Sequence, residues 1–259
     1  MFIPIDDAQI FTTAFGPRGD IPILALSGWI GSWEDWIDTL GPLSDHHRVI
    51  SYDHRGSGST LAPVESITYA RLVDDVFAVL DAHGIERCVL AAMSMGAAVA
   101  LGAALKQPER IAGLVLVNGA YVWQSQGDAD PFLAGLRHHY AQTVAGFVEL
   151  CVPEPDSAAI KHWGRQILGR ATQEAAIALY RITAQIDLRP EVGRIQQPTL
   201  IIHGDADRLI PLAAAEWLAK ALPNARLTVL PGAGHVPIMT RPREVAAAIE
   251  AFLVENIHT

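Results

Sequence analysis

The sequence predicts an α/β fold: a mostly parallel, twisted β-sheet flanked by helices, with a helical insertion over residues 121–186. Three observations predict it. Short apolar runs alternate with segments of helical spacing, the rhythm of a sheet covered on both faces. The runs are continuously apolar, as parallel strands buried on both faces require. Between Tyr121 and Ile186 the alternation stops, and only helical segments are found before it resumes at Pro198.

Taken in order, Phe2–Ile5 and Ile10–Phe15 read as short strands around Asp6-Asp7. Pro22–Leu26 and Arg48–Tyr52 are compact apolar strands, the second running into the turn-rich Asp53-His54-Arg55-Gly56-Ser57-Gly58-Ser59. Tyr69–His83 places Leu72, Val76 and Leu80 on one helical face, and Gly84 is a suitable stop. Cys88–Ala92 reads as a buried strand, Met95–Lys106 as a helix and Ile111–Val117 as the next strand. After the insertion come a strand at Pro198–His203, a helix at Leu212–Leu222, a strand at Arg226–Leu230 and a final helix at Pro242–Asn256. Residues 1–120 and 187–259 are therefore expected to form the α/β core, and residues 121–186 a helical lid above it.

Composition bounds the rest. A chain of 259 residues, half of them hydrophobic and 18% charged, has the material for one large core. Its net charge of -9, with no run of Lys or Arg, repels phosphate backbones and gives nucleic-acid binding no support. The N-terminus MFIPIDDAQIF lacks the basic start and long apolar stretch of a signal peptide. Cys88–Leu105 is uncharged and nearly long enough for a membrane span, but Ser94 and Gly96 at its centre fit a strand, sharp turn and helix better. No membrane association is therefore expected. Two thiols, Cys88 and Cys151, make no disulfide framework, so a cytoplasmic location is the expectation. Oligomeric state is left open.

The sharpest local signal is Ala92-Met93-Ser94-Met95-Gly96, between a strand and a helix. A serine on such a turn stands at the C-terminal edge of the sheet, and small residues two positions to either side let strand and helix approach closely. Ala92 replaces the usual first glycine of this G-x-S-x-G elbow. The N–H of Met95, at the start of the helix, is placed to donate to a developing anion. Gly204-Asp205-Ala206-Asp207 and Gly232-Ala233-Gly234-His235 each follow an apolar strand. The order serine, aspartate, histidine is that of a nucleophile, an orienting acid and a base. Asp205 and Asp207 compete for the acid. Among the ten histidines only His235 combines a Gly-rich loop with this place in chain order; His203, inside a strand, reads as a core residue.

Over nearly its whole length the chain resembles the α/β-hydrolase superfamily. The landmarks are Ser27-Gly28-Trp29 after an apolar strand, Asp53-His54-Arg55-Gly56-Ser57-Gly58, Ser94-Met95-Gly96, Gly204–Asp207 with Pro211, and Gly234-His235. Leu26-Ser27-Gly28, the elbow and Asp187-Leu188-Arg189-Pro190 are most similar to 3-oxoadipate enol-lactonases and related carboxylesterases, and Tyr52–Gly56 to polyketide methylesterases. The resemblance implies Ser94, Asp207 and His235 as the catalytic triad. Asp207 is favoured over Asp205 because the family acid stands three residues after the glycine and four before a proline. It also implies that the N–H of Trp29 joins that of Met95 in an oxyanion hole, although Ser27 stands where most members have histidine.

These readings lead to a serine hydrolase that cleaves an ester or lactone of a small, largely apolar molecule. A carbon–carbon bond hydrolase, lyase or perhydrolase on the same fold is the alternative, and a ligand-binding or signalling protein the alternative of another class. No dinucleotide fingerprint, P-loop or H-E-x-x-H occurs, so neither cofactor nor metal is expected. Substrate contacts are expected from Trp29 and from the insertion, where Trp123 and Trp163 supply apolar surface. Arg137, His138 and His139 are its candidate partners for a substrate carboxylate. An enol-lactone bearing a carboxylate needs one such cation facing inward.

Overall fold

The computed structural model describes residues 1–19, 21–123 and 127–257. Its strands are β1 (Phe2–Ile5), β2 (Ala8–Phe15), β3 (Ile23–Leu26), β4 (Val49–Tyr52), β5 (Cys88–Met93), β6 (Ile111–Val117), β7 (Thr199–Gly204) and β8 (Ala225–Leu230). They form one sheet in the order β1-β2-β4-β3-β5-β6-β7-β8. The pairs β1–β2 and β2–β4 are antiparallel and all others parallel.

Period-two alternation sorts the strand side chains between two apolar layers. Leu24, Leu26, Leu90, Ala92, Leu114 and Leu116 face one layer, shared with helices α2 (Tyr69–Ala82) and α3 (Gly96–Lys106). Ile23, Ala25, Val89, Ala91, Val115 and Val117 face the other, shared with α1 (Ile37–Leu43) and α10 (Pro242–Asn256). Helix α2 starts where Thr68 accepts the N–H of Arg71, and it buries Leu72, Val73, Val76, Phe77, Val79 and Leu80. The uncharged run from Cys88 to Leu105 divides into β5, a turn and α3. Among the described residues no helix is long and apolar enough to cross a membrane.

Helix α1 was not expected. Gly41 and Pro42 in its last turns obscure any helical spacing, but a capped turn ahead of it launches the helix. Ser32 accepts the N–H of Glu34, and the Asp35 carboxylate accepts the N–H of Ser32 at 3.1 Å.

Between β6 and β7 lie α4 (Pro131–His138), α5 (Tyr140–Cys151), α6 (Ala158–Leu168) and α7 (Gln173–Thr183). Residues 124–126 of this stretch lie outside the described residues. Its two ends run side by side: Val122 and Asp187 form an antiparallel bridge, and Leu188 N–H donates to the Tyr121 carbonyl at 3.0 Å. Next in chain order are α8 (Leu212–Ala221) and the one-turn α9 (Pro237–Thr240).

Candidate active site

The site stands where β3, β5, β6 and β7 end. At the turn from β5 to α3, Ser94 has φ of 53°, a left-handed conformation costly for a residue with a Cβ. Hydrogen bonds hold it there: Ser94 N–H donates to Val117 at 3.0 Å, and its carbonyl accepts from Ala97 at 3.0 Å and Ala120 at 2.9 Å. Close approach also depends on missing side chains. A Cβ on Gly96 would lie 2.5 Å from the Ser27 carbonyl oxygen, and one on Gly28 would lie 2.9 Å from Ser94 Cβ. Ala92, in place of the elbow's first glycine, is fully buried and pairs with Leu26 and Leu116.

His235 arrives on the loop after β8. Its Nε2 lies 2.9 Å from Ser94 Oγ and its Nδ1 2.7 Å from Asp207 Oδ2. Asp207 Oδ1 accepts the N–H groups of Leu209 at 2.8 Å and Ile210 at 3.1 Å. Burial pushes the Asp207 carboxyl up. The opposing charge of His235 and hydrogen bonds from His235, Asn118 and Leu209 prevail and lower its pKa to about 2. An ionised carboxylate behind Nδ1 keeps the proton on that nitrogen and leaves Nε2 free to accept one. Asp205 is placed differently: its Oδ1 accepts the N–H of Gly232 at 2.6 Å and secures the turn. His203 is buried, with Nε2 2.9 Å from the Ile210 carbonyl and 3.8 Å from Asp207 Oδ2.

Trp29 and Met95 line the cavity together with Ser94, and among the described residues neither main-chain N–H donates to a protein acceptor. The Trp29 ring is buried. Its Nε1 donates to the Ala176 carbonyl of α7 at 2.9 Å, and it packs edge-on against Phe132 and Phe147.

Two chambers meet at Ser94, His235, Trp29 and Phe147. The larger, about 250 Å³, is lined by Met95, Trp123, Phe132, Tyr180 and Leu209 among others; the smaller, about 50 Å³, by Gly28, Asp35, Met93, Cys151 and Val236. Among the described residues neither has a lysine or arginine in its wall. Trp29 and Trp123 thus line the cavity, whereas Arg137, His138, His139 and Trp163 do not. Helical spacing shows which residues share a face, not which face meets the sheet. Arg137 is half-buried in the last turn of α4, and His138 and His139 are exposed. Trp163 is exposed beneath the Arg170 guanidinium, 5.9 Å from its ring centre, and Arg170 pairs with Glu34. No cluster of three or more metal-ligating side chains occurs among the described residues.

Residues 21–242 match the family defined by the α/β hydrolase fold. The chain belongs to that family. It is a hydrolase of this fold, similar over nearly full length to proteins of differing names. It is 29% identical over 261 residues to the pimeloyl-[acyl-carrier protein] methyl ester esterase of Nitrosomonas europaea, covering 94% of this chain and 98% of that one. It is 32% identical over 252 residues to a Variovorax paradoxus protein provisionally named a carbamate hydrolase, covering 92% and 93%. The solved enol-lactonase of Burkholderia xenovorans superimposes with a TM-score of 0.91 at 25% identity, covering 98% of this chain and all of that one.

Within this α/β-hydrolase, three side chains that carried no assigned role in the sequence analysis support the site. Asn118, at φ 44°, donates Nδ2–H to Asp207 Oδ2 at 2.6 Å and accepts Gly204 N–H at 3.3 Å. Asparagine tolerates this conformation better than most residues, the one local signal that could have found it. Glu154 Oε1 accepts Gly234 N–H at 2.8 Å and the Thr240 hydroxyl at 2.7 Å, while His235 N–H donates to Cys151 at 2.8 Å. The segment after α5 thus holds the histidine loop. The third, His54, is buried against the Gly28 carbonyl.

Proposed function

We propose that this hydrolase cleaves a carboxylic ester or lactone of a small, neutral, largely apolar substrate through an acyl-enzyme on Ser94. The observation that carries the reading is the hydrogen-bonded chain from Ser94 Oγ through His235 to Asp207, at 2.9 and 2.7 Å. His235 Nε2 takes the serine proton as Oγ attacks the carbonyl carbon. Asp207 holds the ring in the Nδ1–H tautomer and stabilises the imidazolium. The Trp29 and Met95 N–H groups receive the oxyanion. As the tetrahedral species collapses, the His235 proton passes to the leaving oxygen. A water, deprotonated by the same nitrogen, then releases the acid. Helices α4–α7 act as a lid that excludes bulk water and sets specificity.

Cavity chemistry selects the neutral substrate. The larger chamber is aromatic and aliphatic, and among the described residues only Ser94, Tyr180, Thr183 and His235 offer side-chain hydrogen bonds beyond the indoles. A substrate carboxylate there would be desolvated without a cationic partner, at a cost of several kcal/mol. The names of the Nitrosomonas relative and the Burkholderia structure, an ester and an enol-lactone hydrolase, fit the reaction class.

The test compares wild type and Ser94→Ala on a short-chain p-nitrophenyl ester, and on matched neutral and carboxylate-bearing lactones. Loss of turnover in folded Ser94→Ala, and a preference of about 100-fold or more in kcat/KM for the neutral lactone, are expected. Turnover by Ser94→Ala would overturn the mechanism, and preference for the charged lactone would overturn the substrate class. Tight ligand binding without wild-type turnover would make the protein a binding module instead.

A further inference from the structure

We infer that His54 is a positioning residue for the oxyanion hole, orienting the Trp29 N–H through the carbonyl of Gly28. The inference rests on the Trp29 role proposed above. The carbonyl of Gly28 and the N–H of Trp29 belong to one peptide unit. In a planar trans unit they point in opposite directions, so fixing the oxygen aims the N–H.

Two donors fix that oxygen. His54 Nε2 lies 3.1 Å from it, and Gly31 N–H donates to it at 3.1 Å. The Gly31 bond lies within the loop and moves with it. The His54 bond ties the loop to the end of β4, a separate part of the sheet. A hydrogen bond to the carbonyl also polarises the shared peptide and strengthens its N–H as a donor.

The histidine is buried, and the residue that follows it is anchored. The fully buried Arg55 guanidinium is bound by Asp75 at 2.8 and 3.1 Å and by Asp7 at 2.6 Å, which anchors this backbone to α2 and to the β1–β2 turn. Burial pushes the imidazole below its ordinary pKa, against the pull of the Gly28 and Arg55 carbonyls. The neutral ring carries one proton; on Nε2 it makes the bond to Gly28 and leaves Nδ1, 3.2 Å from the Arg55 carbonyl, with none to donate.

Ser27 does not serve this oxygen. Its hydroxyl donates to the Ser32 carbonyl at 2.7 Å. The support for the loop comes instead from a histidine 26 residues away from Gly28 in the chain.

The experiment uses His54→Gln, whose amide nitrogen reaches about as far as Nε2, with His54→Asn, which is polar but too short, and His54→Leu. Hydrolysis of a neutral p-nitrophenyl ester, inhibition by phenylboronic acid and Tm are measured for each, with Ser94→Ala as control. Removing one oxyanion donor costs about 10²–10³ in rate, so misaiming one is expected to cost about 10- to 100-fold. His54→Asn and His54→Leu should lose that factor in kcat with KM nearly unchanged, and the boronate, which places an oxygen in the hole, should weaken in step. His54→Gln should stay within about threefold of wild type. Wild-type kcat in the Asn and Leu variants, a loss in His54→Gln equal to that of Leu, or a change confined to KM would overturn the inference. If Leu alone fails to fold, the Gln–Asn pair decides; if none of the three folds, His54 serves the fold and the inference fails. An active Ser94→Ala would instead remove the reading beneath it.

Discussion

Asp207→Asn probes the centre of the proposed machinery, and the structure sets its cost. The carboxylate accepts from four donors: His235 Nδ1 and Asn118 Nδ2 at Oδ2, Leu209 N–H and Ile210 N–H at Oδ1. An asparagine cannot satisfy both sets. With its oxygen toward His235, its NH₂ faces two backbone N–H groups, each costing about 1–3 kcal/mol when left unmet. With its NH₂ toward His235, the imidazole must turn its lone pair to Nδ1 and carry its proton on Nε2, where it cannot accept one from Ser94. At a comparable triad the second outcome lowers kcat about 10⁴-fold, or about 5 kcal/mol. The expected loss here is about 10³–10⁴-fold in kcat. Asp205→Asn keeps an oxygen for Gly232 N–H and should stay within about threefold. The assay is steady-state hydrolysis of a p-nitrophenyl ester, with Tm recorded for both variants. Equal losses, or a greater loss in Asp205→Asn, would refute the assignment of the acid.

Gly28→Ala would place a Cβ 2.9 Å from Ser94 Cβ, so kcat should fall at least about 10-fold while the fold, followed by circular dichroism, is retained. Glu154→Ala strands the Gly234 N–H and the Thr240 hydroxyl. Calorimetry should show Tm lower by about 5 °C or more and kcat reduced, with Glu154→Gln between it and wild type; an unchanged Tm would show that this carboxylate does not hold the histidine loop. Burial raises the Asp35 pKa to about 7, against the nearby Ser27 hydroxyl and the Ser32 N–H and with added repulsion from Asp53 and Glu34. Because the folded pKa lies above the unfolded one, the native state binds this proton more tightly. This group's contribution to stability is therefore greatest below about pH 4 and declines as pH rises toward 7. Asp35→Asn should gain on wild type across that window, by an amount on the order of a few kcal/mol at neutral pH; a stability difference that stays flat with pH in denaturant titrations would contradict this.

The sheet was legible because its strands are continuously apolar and end in Gly- and Asp-rich turns. Ser94, Asp207 and His235 were singled out because each sits at such an end; the structure places their side chains within hydrogen-bond reach. What was not legible depends on contacts between distant segments. Arg55 reads as one more residue of a turn, yet it is fully buried among Asp75, Asp7 and Ser66. Helix α1 was hidden by Gly41 and Pro42, and nothing local distinguishes Glu154 as the residue that holds the histidine loop. In the insertion, aromatic residues and cations share the same short helices. Which of them face inward depends on how α4–α7 dock, through bonds such as Trp29 Nε1 to Ala176. That docking puts Trp123, Phe132 and Tyr180 on the cavity, but not Arg137, His138, His139 or Trp163.

Covalent trapping on Ser94 tests the account most directly. Incubation with a fluorophosphonate, followed by intact-mass and peptide mass spectrometry, should show one phosphonyl group per chain, on the peptide containing Ser94, with loss of esterase activity in proportion to labelling. Ser94→Ala should take up none. Labelling at another residue, or full inactivation of the enzyme with Ser94 unmodified, would contradict the nucleophile and with it the mechanism.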